Sequence, residues 1–159
     1  MALEASVILI SLSALAITLA GFAAIFRAFT TKLAADGHSH LRLIGIIESG
    51  IAITFFCYLP LIIQFFDISE NTVFSLMGLA GALYYLRLNV FLFMARKIEH
   101  KTPIIYAASF LCALLVVLLF LATALSLFEP VQALYLLAIF MMFVGQGLAF
   151  IGQFWAESQ

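Results

Sequence analysis

Two charged side chains stand inside apolar stretches long enough to cross a bilayer: Glu48 in the run Leu43–Phe66, and Arg87 in the run Val73–Ala95. A charge in hydrocarbon costs at least ~3 kcal/mol, so each needs a partner. Arg87 is the only basic residue within any of the other apolar runs, which makes it the natural partner of Glu48. Two chemistries follow from such a pairing. A hydrogen-bonded ion pair can be purely structural, fixing helix register and nothing more. The same pair beside water can line a path that binds an ion or relays a proton.

Other polar residues in the apolar runs carry less. Gln146 and Gln153 share a helical face and need hydrogen-bond partners inside a bundle, and Thr18 can join them. Asn89 lies two positions from Arg87, about 200° around a helix axis, so the two cannot share a partner. Pro60 lacks an N–H, and in a helix it kinks the chain and leaves the Phe56 carbonyl without its donor. The triplet His38-Ser39-His40 is a weak metal motif with only Asp36, and His100 from another loop, to help. Most paired loop histidines are solvated, so no metal and no cofactor is expected. The sequence has no phosphate loop, nucleophile elbow, HExxH or CxxC.

These residues must be positioned by membrane helices. The 159-residue chain is 66% hydrophobic and only 9% charged, with a mean hydropathy of +1.23. Roughly a quarter of residues are charged in soluble proteins, so the chain belongs in lipid. Five apolar runs predict an all-α bundle of five transmembrane helices in a single membrane domain, residues 1–159, with helices over 3–26, 43–66, 73–95, 104–128 and 131–155. The first run, from Leu3, carries Glu4 at its start instead of a basic leader and is about twice the length of a signal-peptide core, which predicts an uncleaved helix. Cys57 and Cys112 both fall in apolar runs and read as small hydrophobes.

Small residues recur at helical spacing and predict packing faces: Ser11, Ala14, Thr18 and Gly21 in the first run; Gly45, Ser49 and Ala52 in the second; Ser75, Gly78 and Ala82 in the third; Gly145, Ala149 and Gly152 in the fifth. The fourth run, with no charge at all, is expected to be the most lipid-exposed. The short segment 67–72 predicts a hairpin with the second and third helices as neighbours, capped by Asp67 or Ser69. Thr102-Pro103 opens the fourth helix.

Charge sets the expected orientation. Arg27, Lys32, Arg42, Arg96, Lys97 and Lys101 all fall in two loops on one side, whereas Glu4, Asp67, Glu70 and Glu129 lie on the other. The positive-inside rule then places the N-terminus outside and the C-terminus in the cytosol, in a cell (inner or plasma) membrane. Counted inward from the basic side, Glu48 lies about 9 Å deep, and Arg87 and Gln146 about 13 Å. Glu48, Arg87, Gln146 and Thr18 are therefore expected to form one polar layer.

The leading expectation is an oligomeric ion or proton channel, or a transport-type protein, using the Glu48/Arg87 layer. A five-helix bundle fills its own centre, so a pore would have to form between protomers. The alternative is a non-catalytic accessory or structural subunit of a larger membrane complex. An enzyme is disfavoured, because the layer offers one carboxylate and no nucleophile–base arrangement. Expected partners are the lipid bilayer and either further copies of the chain or other membrane subunits, and no nucleic acid.

Overall fold

The computed structural model describes the backbone of residues 3–30, 37–66, 68–96 and 103–157, and the side chains of residues 5–26, 44–66, 68–90, 107–108 and 110–151. Among the described residues the chain is all-helical and has no strand. The helices are α1 (Leu3–Thr30), α2 (Gly37–Ile63), α3 (Glu70–Arg96), α4 (Pro103–Ala124) and α5 (Val131–Glu157), with a 3-10 turn at Gln64–Phe66 closing α2. α1, α2, α3 and α5 each hold a stretch long and apolar enough to cross a membrane, and α4 adds a shorter apolar stretch, Phe110–Ala124. Several such helices in one chain make this a multi-pass membrane protein.

The helix ends follow from local chemistry. Ser69 caps α3: its Oγ accepts from the Thr72 N–H at 3.3 Å, and its carbonyl accepts from the Val73 N–H at 3.0 Å. Of the two caps proposed from sequence, Asp67 lies outside the described residues. Pro103 occupies the first position of α4, where its missing N–H leaves nothing unpaired. α4 stops at Ala124, four residues short of the expected end, because Ser126 takes a left-handed backbone (φ 49°). The Leu127 N–H then bonds the Ala122 carbonyl at 3.0 Å and the Ser126 N–H bonds that of Thr123 at 3.1 Å, which together terminate the helix. Serine lacks the glycine signal that announces this motif in a sequence, so the stop was not predicted.

Packing departs from the order expected. α1 packs along α2, α3 along α4 and α4 along α5, while α2 and α3, predicted to be close neighbours, touch only lightly. Glycine positions explain the preference. A Cβ on Gly50 of α2 would fall 2.6 Å from Ala20 Cβ of α1, and one on Gly78 of α3 would fall 2.8 Å from the Ala124 nitrogen and Phe120 oxygen of α4. Backbones approach most closely where side chains are absent, and neither glycine faces across the α2–α3 seam. α5 is the common element: besides α4 it contacts α2, α1 and α3.

The core is aromatic. Phe120 lies against Gly81, and its ring stands 5.7 Å from Phe56, 6.3 Å from Tyr85 and 5.8 Å from Tyr135, so one α4 side chain joins α2, α3 and α5. α4 is thus no more peripheral than its neighbours, contrary to the expectation from its uninterrupted hydropathy. Leu, Val and Phe read alike whether they face lipid or core.

The packing face of α1 is also not the one predicted. Ala5, Leu9, Leu12, Ala16, Ala20 and Ala23 are buried, while Ser11, Ala14, Thr18 and Gly21 are exposed, with nothing within 4 Å of where a Gly21 Cβ would stand. Both faces carry small residues, so spacing alone could not separate them. On α3, Gly78 and Ala82 of the predicted face are buried and Ser75 is half-buried, and the face continues inward through the buried Tyr85 and Asn89.

Candidate functional site

Glu48 and Arg87 meet. The Arg87 Nη2 lies 3.9 Å from Glu48 Oε1, a long ion pair across the light α2–α3 seam. The pair faces outward, with 79% of the Arg87 side chain and 46% of that of Glu48 exposed. Glu48 belongs to the outward stripe of α2, with Ile51, Phe55, Tyr58 and Ile62, and Arg87 to that of α3, with Leu76, Leu79, Leu83 and Val90. Tyr84, one turn from Arg87, lies within electrostatic reach of both charges, and its buried hydroxyl has no hydrogen-bond partner. A carboxylate, a guanidinium and a free phenolic donor therefore share one seam.

Gln146 is elsewhere. It is buried where α1, α2 and α5 converge, and its Nε2 donates to the Ala16 carbonyl at 3.2 Å and the Ile46 carbonyl at 3.1 Å. Gly50 makes room for it, since a Cβ there would stand 2.7 Å from Nε2. Ser49 adds its own bond to the Ile46 carbonyl at 2.9 Å. Ile46, Ser49 and Gly50 thus take the inward side of α2, and Glu48, about 200° from Ile46 and Gly50, is turned out. The expected single polar layer is two separate sites at similar height.

Thr18 belongs to neither. It is exposed, and its hydroxyl folds back onto the Ala14 carbonyl at 2.7 Å. Asn89 is buried, donates to the Tyr85 carbonyl at 3.0 Å and leaves its Oδ1 without a partner, as does Gln146 its Oε1. The side chain of Gln153 lies outside the described ones. His38 and His40 fall in the first turn of α2 and not in a loop, at positions about 200° apart around its axis, and their side chains also lie outside the described ones. Among the described residues, no group of three His, Cys, Asp or Glu could hold a metal ion.

One polar contact answers a demand set by the sequence. Pro60 sits inside α2, so the Phe56 carbonyl lacks its helical donor, and the buried Tyr135 hydroxyl of α5 supplies one at 2.6 Å. Nothing in the local sequence pointed to Tyr135, which lies 79 residues away and reads as one aromatic among many.

No family model matches the chain, and neither a curated protein nor a solved structure matches it.

Proposed function

We propose that this is an oligomeric ion- or proton-conducting, or more broadly transport-type, protein of the inner or plasma membrane, with its N-terminus outside and its C-terminus cytosolic. The one-sided placement of the basic residues supports that orientation. The observation that carries the reading is the outward pair of Glu48 and Arg87 beside the unpartnered Tyr84 hydroxyl. Aromatic rings fill the protomer centre, so a path belongs at a boundary between protomers, and the α2–α3 seam is where the chain offers charges to such a boundary. Glu48 would bind the permeant cation or proton, Arg87 would set its affinity, and no catalytic step is assigned.

Reconstituted liposomes test this. Flux above that of empty vesicles is expected for the wild type, and Glu48→Gln should lower it about tenfold or more, the effect of about 1.4 kcal/mol on a barrier. Equal flux in both forms would remove Glu48 from the mechanism, and no flux in either would end the conducting reading.

A second reading, an accessory subunit of a larger membrane assembly, is supported by the outward small-residue face of α1, where another helix could approach closely. The particle's mass and composition after mild solubilisation separate the two: a homo-oligomer supports the first, co-purifying subunits the second.

A further inference from the structure

Two connections lie at the end of the bundle away from the basic loops, and each carries exposed apolar side chains among its polar ones, where water would be expected. Phe65, Phe66 and Ile68 stand between α2 and α3, and Leu125, Leu127 and Phe128 between α4 and α5. All six are exposed, Phe65 at 87%. Connections normally run through water and are polar. The two do not cover one another: the α4–α5 connection is tied to α3 by the Ser126–Ser75 hydroxyl bond at 3.1 Å, and its leucines and phenylalanine still point away from protein.

We infer that both connections are immersed in the bilayer, forming an apolar collar that contacts lipid, so that the membrane is seated toward this end of the molecule. Continuity decides the occupant. The exposed stripe of α2, Phe55, Tyr58 and Ile62, runs without a break into Phe65 and Phe66, and that of α4, Leu118 and Leu121, runs into Leu125 and Leu127. Side chains that face lipid along the helices go on facing it past their ends. This end also carries no Lys or Arg to hold it at the phosphates. Its exposed carboxylates, Glu70 and Glu129, lie one to four residues from the collar, near enough to the boundary for their side chains to reach the headgroups.

The collar fixes the opposite boundary. A hydrocarbon core of about 30 Å is spanned by about 20 helical residues. Counted from Phe66 along α2, that distance ends near Ile46, and from Ile68 along α3 it ends near Leu88. Two independent counts thus converge on Glu48 and Arg87. Their outward direction has a physical reason at that height, because side chains within about a turn of the boundary reach hydrated headgroups.

Spin labels read this directly, whether or not the protein conducts. The full chain is reconstituted in phosphatidylcholine–phosphatidylglycerol vesicles, with single labels introduced by Phe66→Cys, Phe128→Cys, Leu79→Cys and Val90→Cys. All four positions are exposed, and Cys57 and Cys112 are buried; the unsubstituted chain measures their background labelling. Collision with oxygen, which concentrates in lipid, is compared with collision with a water-soluble nickel chelate. At Phe66, Phe128 and Leu79 oxygen should dominate several-fold, and at Val90 the ratio should fall. Nickel dominance at Phe66 and Phe128 would overturn the collar, and so would shielding from both reagents there, which would mean a protein partner. Each variant's helicity and mass profile guard against misfolding.

Discussion

A buried carbonyl without a donor is among the more expensive defects a membrane helix can carry, and Pro60 creates one at Phe56. The Tyr135 hydroxyl removes it. Tyr135→Phe should therefore destabilise the fold by about 1–2 kcal/mol. In a Pro60→Ala background, where residue 60 regains its own N–H, the same substitution should lose less than half of that. Denaturation of the four proteins in mixed detergent micelles checks the cycle, and equal losses in both backgrounds would show that the hydroxyl matters for another reason. The demand at Phe56 was legible in the sequence because it arises from residues four apart, whereas the supplier was not, since nothing local marks one tyrosine of five. The same holds for Gln146, whose depth was readable while its partners, Ala16 and Ile46 in two other helices, were not. The outward turn of Glu48 was not legible for a related reason: the sequence offers Gly45, Ser49 and Ala52 as one small face, but not that Ser49 and Gly50 together claim the packing side of α2 and leave Glu48 turned away from it.

At the scale of helices, existence and type were legible from the length and apolar character of the runs, and all five appear near their expected positions. Their lateral order was not, because in lipid the pairing of helices is decided by where backbones can approach, and hydropathy is silent on that. The glycines make the point quantitatively. Gly78→Ala places a methyl about 2.8 Å from two backbone atoms of α4, which cannot move independently of the helix, so a loss of about 1–3 kcal/mol is expected. Gly21→Ala, in open space on α1, should be neutral or stabilising by up to about 1 kcal/mol, as in any helix interior. Thermal stability of the solubilised protomer measures both. A Gly21→Ala variant that keeps its stability but loses association with another chain would identify the outward α1 face as the contact of the accessory-subunit reading. The end of α4 shows the limit of sequence reading in another way, since Ser126 holds a left-handed conformation that costs roughly 1 kcal/mol in a non-glycine residue and is offset by its bond to Ser75.

For the molecule as a whole, the arrangement is two helical pairs, α1 with α2 and α3 with α4, joined less by each other than by α5. A chain divided within the α2–α3 connection should therefore still assemble when both parts are co-expressed, because the α5-bearing part presents Tyr135 and Gln146 to α2. Co-purification through a tag on one part checks this, and separate migration of the parts would show that the covalent link, not α5, holds the halves in place. Because α5 is the last of the five to leave the ribosome, the order of synthesis matters. The α1–α2 hairpin enters the bilayer with the Phe56 carbonyl, which Pro60 deprives of its helical donor, unanswered until Tyr135 of α5 reaches it. Until α5 arrives, two well-packed hairpins face one another chiefly across the light α2–α3 seam, so the bundle closes only with its fifth helix.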